Sequence, residues 1–363
     1  MKIAFWHFYS LRMLRGIETL AISLANVLAE RNHDVSLITA KPTISPLVCP
    51  NPRVGVYAYP TSRFYEHQAI VPFYVYHLWR YKYDHVIAFF SDFGEGAALD
   101  VLSKFTNVPM SLYLCYPYSS VPHRYHSFLR HGWGQKARHI LADANWIARE
   151  AQELFHRPVP VVPVGTDPQR FRQDPERRNA LRDKMGYREN DVVLLNVSSL
   201  EARKGTWRVI QALSRLRTRI PNLRYFILGA GEDEPRLKKM VDELQLNHIV
   251  IFGGVTSELE GYYNMADIFV MLPDGEGNSV ACHEAMSCAL PVVVSDSGGF
   301  LESVPPEAGA LVDLQHPASV DEALTQIAAN ASLRVAMGAA GRRHVLANYT
   351  WEHIADRFLE VVA

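Results

Sequence analysis

Short runs of consecutive apolar residues alternate along this chain with longer stretches in which apolar residues return every three or four positions. In the first half the runs are Lys2 to Phe8, Asp34 to Thr39, Val54 to Tyr59, His85 to Phe90, Pro109 to Cys115 and Ile140 to Asp143. In the second half they are Asp191 to Val197, Arg224 to Leu228, His248 to Phe252, Ile268 to Leu272 and Val292 to Val294. Unbroken apolar runs of this length predict strands buried on both faces, as in parallel sheets. Between them, Leu20, Ile22, Leu24, Ala25, Val27 and Leu28 repeat with helical spacing from Gly16 to about Arg31. Further helices are predicted over Trp146 to Phe155 with Asn145 as cap, from Thr206, over Tyr262 to Ala266, near 319–330 and 332–347, and from Trp351 to Val362. The strand–helix alternation occurs twice and defines an α/β chain with two doubly wound, Rossmann-like domains. The stretch Pro158 to Pro168 is proline-rich. A hinge is expected near 166–188, where charge and turn residues cluster, giving domains of 1–170 and 171–350.

Composition narrows the class. The chain has 363 residues, 48% hydrophobic and 21% charged, enough for two substantial cores and unlike a disordered chain. Its net charge of −1 gives no reason to expect nucleic acid. Residues 1–165 hold 16 Lys and Arg against 11 Asp and Glu, with ten of the fifteen histidines. That mildly basic half reads either as an ordinary solvated surface or as a face for an anionic acceptor or a membrane. An aromatic stretch there, from Phe64 to Tyr83 with Arg63, Arg80 and Lys82 interleaved, has the same two readings: an interfacial element or a helix packing aromatics into the core. The cysteines, Cys49, Cys115, Cys282 and Cys288, form no metal-ligand pair and indicate a reducing compartment. The first residues lack a signal-peptide core and no run is long enough to span a bilayer, so a cytoplasmic protein, peripheral on the membrane at most, is expected.

The chemistry concentrates between Met271 and Ser295. A strand ends at Pro273, Asp274-Gly275-Glu276-Gly277 turns, and Asn278 and Ser279 offer N-caps for a helix carrying Glu284 to about Ala289. Pro291 then opens the next strand. In parallel sheets ligands sit beyond the carboxyl ends of the strands, where this loop lies. The helix N-terminus presents free N–H groups suited to a phosphate. The flanking carboxylates, Glu276 and Glu284, suit hydroxyls instead. A ligand with a phosphate centre and a hydroxylated ring at each end, such as a nucleotide-sugar, matches both.

Glu276 to Glu284 reproduces the E-x7-E signature of retaining GT-B glycosyltransferases, and EGNSVACHEAMSCALPVVVSDSGG resembles family-four members over a longer stretch. The likeness extends over nearly the whole chain. It implies two Rossmann-like domains facing across a cleft, with the last helix, 351–363, packing back on the first. It assigns Glu276 to the transferred sugar and Glu284 to the ribose hydroxyls. The amides of Gly277, Asn278, Ser279 and Val280 then serve the sugar and diphosphate. Gly16, in Arg15-Gly16-Ile17-Glu18, matches a donor-side Gly-Gly-x-Glu loop with only its second glycine. Lys204, in Arg203-Lys204-Gly205, matches the diphosphate lysine, whereas the usual arginine position falls at Ser198 or Ser199. Arg203 is the candidate replacement, and Val255 the candidate for nucleobase contact. The histidine that relatives place near the reacting sugar is replaced by Cys115-Tyr116-Pro117, leaving Tyr116, His123 and His126 as sugar- or acceptor-side candidates.

No Asp-x-Asp pair is present, and Gly229-Ala230-Gly231 is followed by acidic residues, against a dinucleotide fingerprint. The resemblance therefore implies hexosyl transfer, with a UDP-hexose as the family's common donor and a glycan or lipid-linked hydroxyl as acceptor, and the missing Asp-x-Asp leads to the expectation that no metal or cofactor is needed. Lys204 and Glu276 are the expected catalytic residues. A same-fold epimerase or phosphorylase and a non-catalytic nucleotide-sugar-binding protein are the rival readings.

Overall fold

The computed structural model describes residues 1–7, 16–40, 50–59, 71–90, 106–116 and 136–363. The chain divides into two compact units, Met1–Val164 with Trp351–Ala363, and Gly165–Thr350. The boundary thus falls at Val164/Gly165 and not after residue 170.

In the first unit, β1 (Lys2–Trp6), β2 (Asp34–Ala40), β3 (Gly55–Tyr59), β4 (His85–Phe90), β5 (Met110–Leu114) and β6 (Ile140–Ala142) form a parallel sheet in the order β3-β2-β1-β4-β5-β6. Side chains alternate between its faces. Ala4 and Trp6 pack with Tyr74, Leu78 and Ile147. Phe5 meets Phe358 of the helix Trp351–Val362, ring centroids 5.7 Å apart. Arg31, just past the helix Gly16–Glu30, pairs with Glu352 and Asp356 of that last helix.

The described part of the aromatic stretch forms a two-faced helix, Val71–Tyr81, while Arg63, Phe64 and Tyr65 fall outside the described residues. Tyr74, His77 and Leu78 are buried, with His77 held between the hydroxyls of Tyr59 (2.9 Å) and Tyr83 (2.6 Å). Tyr76 and Trp79 are exposed. The helix Asn145–Phe155 begins one residue earlier than expected: its cap position is Ala144, whose side chain makes no cap hydrogen bond.

The second unit repeats the winding. β7 (Val192–Val197), β8 (Leu223–Leu228), β9 (Val250–Gly254), β10 (Ile268–Met271), β11 (Val292–Ser295) and β12 (Gly309–Val312) pair in parallel in the order β12-β11-β10-β7-β8-β9. Val192 and Leu194 face one core, with Val209, Ile210 and Leu213 of the helix Thr206–Leu216. Val193 and Leu195 face the other, with Ala285 and Met286 of the helix Val280–Ser287. This alternation is why β7 reads as an unbroken apolar run. The expected hinge contains a helix, Pro175–Met185, started by Asp174, whose side chain accepts from Arg177 N. Arg178 and Arg182 bind Asp267, at the mouth of β10, and donate to the carbonyls that end the helix Leu259–Met265. The two ends of the unit meet in a parallel bridge, Thr166 to Thr350.

Candidate active site

The strand order of the second unit reverses between β7 and β10. The helix after β7 covers one face of the sheet and the helix after β10 covers the other. Sheets of this winding take their ligands at that reversal, beyond the carboxyl ends of the strands.

Two loops emerge there. The loop after β7 ends in one 3-10 turn, Ala202–Lys204, and Gly205. Gly205 has φ +71°, and a Cβ there would stand 1.7 Å from the carbonyl oxygen of Leu272, at the end of β10. Only glycine permits both this backbone conformation and this approach. The loop after β10 is tied to it by Asp274 N donating to the Arg203 carbonyl (2.9 Å). Arg208 also donates to the Leu272 carbonyl (3.0 Å) and pairs with Asp274. The loops are therefore one structure, and their functional side chains meet.

Lys204 Nζ donates to both oxygens of Glu276, each at 2.7 Å. The two side chains are only 10% and 16% exposed. Arg203 Nη1 lies 3.6 Å from the same carboxylate, and its Nε donates to Glu201 at 2.8 Å. Ser199, Arg203 and Lys204 hold the Glu201 carboxyl below its usual range against the opposing effect of burial. Two adjacent cations thus turn toward one glutamate, although Ser198 and Ser199 carry none. Ser198 instead donates to Asn196 Oδ1 (2.8 Å), and its carbonyl lies against Gly229, where a Cβ would be 1.8 Å away.

Glu276 is supported from behind. Gly299 N donates to its carbonyl (2.9 Å). Cβ atoms at Gly298 and Gly299 would each stand 2.2 Å from the carbonyl oxygens of Glu276 and Gly277, respectively. Past Gly277 and the buried Asn278, Ser279 caps the helix Val280–Ser287, its side chain accepting from Cys282 N (3.3 Å). The cap is Ser279 alone of the two candidates. The helix ends at Ser287, before Ala289, which turns at φ +57°. Val280 is buried at the helix start.

Glu284 lies inside this helix and is 6% exposed. Its Oε2 accepts from the Tyr263 hydroxyl at 2.7 Å. Burial pushes its carboxyl up to about 7, while Tyr263 and Arg170 pull in the opposite direction and Glu260 adds to the rise. Val255, just past β9, is 54% exposed. In the first unit, Gly16 opens its helix on the surface and Tyr116 is half-buried past β5. His123 and His126 fall outside the described residues, as does Arg15. Sequence reasoning misses Tyr263 and Arg208, whose partners become visible only once the sheet brings the loops together. Among the described residues no cluster of three or more His, Cys, Asp or Glu could hold a metal ion, and no helix is long and apolar enough to cross a membrane.

Two parallel six-stranded sheets of this winding, with basic and acidic loops meeting at the reversal of the second, define a GT-B protein built from two Rossmann-like units. Residues 177–344 match the family model described as Glycosyl transferases group 1, and residues 14–170 match Glycosyltransferase Family 4. The chain belongs to the group 1 glycosyltransferases, a family of transferase enzymes. Sucrose-phosphate synthase from Thermosynechococcus elongatus has the same fold, with TM-score 0.83, 20% identity and coverage of 99% of this chain and 98% of that one. Anabaena HepE, solved in complex with UDP-glucose, superposes at TM-score 0.83 with 17% identity over 99% and 98% of the two chains. In sequence, the chain is 33% identical over 212 residues to the GDP-mannose-dependent alpha-(1-6)-phosphatidylinositol monomannoside mannosyltransferase of Mycolicibacterium smegmatis, covering 56% of this chain and 55% of the relative. It is 30% identical over 209 residues to the monoacylated-substrate counterpart from Corynebacterium glutamicum, covering 55% of each. The matched region spans about half the length of these curated relatives.

Proposed function

We propose that the chain transfers a hexosyl group from a nucleoside-diphosphate sugar to an acceptor hydroxyl, with retention at the anomeric carbon. The observation that carries this reading is the meeting of Lys204 with Glu276 where the strand order reverses. In the proposed reaction the bond from the anomeric carbon to the diphosphate oxygen breaks, and a bond to the acceptor oxygen forms on the same face. The acceptor proton passes to the departing phosphate oxygen. Lys204 meets the negative charge growing on the diphosphate, with Arg203 beside it. The amides of Gly277, Asn278, Ser279 and Val280 assist at the helix start. Their charges and dipoles are fixed before the reaction, which is where electrostatic catalysis gains most. Glu276 positions the sugar hydroxyls and Glu284 the ribose hydroxyls. Val255 lies at the nucleobase, Gly16 approaches the donor diphosphate, and Tyr116 and His123 serve the sugar or acceptor side.

The family resemblance alone makes a UDP-hexose the default donor. The relatives at 30–33% identity, named for GDP-mannose, move the preference to GDP-mannose, with a phosphatidylinositol-linked or other lipid-linked glycan hydroxyl as acceptor. The donor is taken without a metal ion. Calorimetric titration of the intact chain with GDP, UDP and ADP in EDTA tests this, followed by the sugar form of whichever binds. Nucleotide release with lipid-linked acceptors and NMR of the product anomer complete the test. Micromolar binding of GDP and turnover with GDP-mannose are expected. Binding of none of the three nucleotides would overturn the reading, and binding without turnover on any acceptor would favour a non-catalytic carrier of the nucleotide-sugar.

A further inference from the structure

We propose that Tyr263 is a positioning residue of the nucleotide site: its hydroxyl, 2.7 Å from Glu284 Oε2, orients that carboxylate so that it can accept from the ribose hydroxyls. The proposal rests on the nucleotide-sugar reading above and extends it to a residue that no sequence motif marks.

Tyr263 is fully buried, on the helix that leads into β10, while Glu284 is on the helix that leaves it. The ring is fixed edge-on against Phe171, centroids 5.6 Å apart at 89°. Its oxygen therefore has little freedom. A phenol has one proton to donate, and two acceptors lie within reach: Glu284 Oε2 at 2.7 Å and the Ala281 carbonyl at 3.2 Å. The nearer and charged acceptor wins, because hydrogen bonds to ions are the stronger. One hydroxyl donor fills one acceptor position of this buried carboxylate. A carboxylate has about four lone-pair sites, and burial penalises its charge. The remaining acceptor capacity suits a pair of vicinal hydroxyls.

The groups facing this carboxyl come from every packed element. Arg170 and Glu260 pair at 2.5 Å and act on it with opposite signs. Cys282 and Cys288 lie nearby on its own segment, with thiols pushed up by burial, and Arg342 faces Cys288. Tyr263 itself is held well above the usual phenol range, mainly by burial, so it remains a donor throughout. Glu284 is therefore the group that changes charge near pH 7, and Tyr263 is the neutral donor that favours its ionised form.

The test is GDP affinity of the intact chain by calorimetry between about pH 5.5 and 8.5, for wild type, Tyr263→Phe and Glu284→Gln. Wild-type affinity is expected to fall, by up to about tenfold per pH unit, below a midpoint near 7. Tyr263→Phe keeps the ring and removes only the donor. It should move that midpoint up by about half a unit to one unit, because a hydrogen bond to the charged form is lost. A tyrosine with a purely structural role would lower affinity equally at every pH and leave the midpoint in place, which would overturn the proposal. A pH-independent wild-type affinity would also overturn it without any variant. If Glu284→Gln binds GDP as tightly as wild type at about pH 8, the ribose role of Glu284 fails and the proposal falls with it. If Glu284→Gln binds weakly while Tyr263→Phe leaves the midpoint unmoved, only the role of Tyr263 fails.

Discussion

Lys204 is the residue whose surroundings say most about chemistry. A lysine near the start of a helix faces the positive end of the helix dipole, so its placement needs a local anion. Glu276 supplies one, with both oxygens engaged. In the proposed reaction the same ammonium meets a diphosphate at the end of β7, so its loss would remove charge stabilisation that grows during bond breaking. Lys204→Ala should therefore lower turnover at saturating donor by at least about tenfold, equivalent to about 1.4 kcal/mol of barrier. Steady-state kinetics decides this, and wild-type turnover in the variant would remove Lys204 from the mechanism. Arg203 is not equivalent: it stands farther from Glu276 and is shared with Glu201.

At the scale of elements, the site is two loops braced by a third. Gly298 has φ +62°, and any side chain there would strike the backbone of Glu276. Gly298→Ala should cost about 2 kcal/mol or more, combining left-handed strain with a displaced loop, and should raise the donor KM. Gly186 offers the control: φ is +69° but no atom lies within 4 Å of where a Cβ would stand, so Gly186→Ala should cost only the backbone strain and leave KM unchanged. Thermal unfolding and donor kinetics on the two variants separate these effects. Much of this scale is legible in the sequence. The runs that become β7, β8 and β10 are apolar on both faces, and Ser279 announces its helix. The helix Pro175–Met185 is not legible, because PERRNALRDKM carries no apolar stripe. What fixes it is remote, the Asp267 carboxylate and the carbonyls at the end of another helix. β12 escapes for a related reason: Gly309-Ala310-Leu311-Val312 opens on two residues of low β-propensity, and it forms by pairing with β11. The meeting of Lys204 with Glu276 is legible as two motifs, but the contact between them comes from the strand order. Tyr263 reads from sequence as one more aromatic residue in a short helix, since nothing local points its hydroxyl at Glu284.

At the scale of the whole molecule, the last helix belongs to the first unit. Ile354, Ala355 and Phe358 are fully buried, and Phe358 faces Phe5 in β1. Phe358→Ala should cost about 3–5 kcal/mol by opening a cavity against the central strand. Hydrogen exchange should then show protection lost first in β1 and the helix Gly16–Glu30, with β7 to β11 unaffected. Equal loss in both units would mean that the helix supports the second as much as the first.

The same layout makes the second unit an insertion: the chain leaves the first unit at Val164 and returns to it at Trp351. Both ends of the inserted unit meet at the bridge between Thr166 and Thr350. During synthesis, domains ordinarily mature in the order in which they emerge. Here β1 to β6 all emerge before the residues that cover Phe5, which wait for the whole second unit to be made. The Gly165–Thr350 unit can therefore be complete while the first still lacks its last helix, so during synthesis the first unit, and not the second, has a reason to need protection.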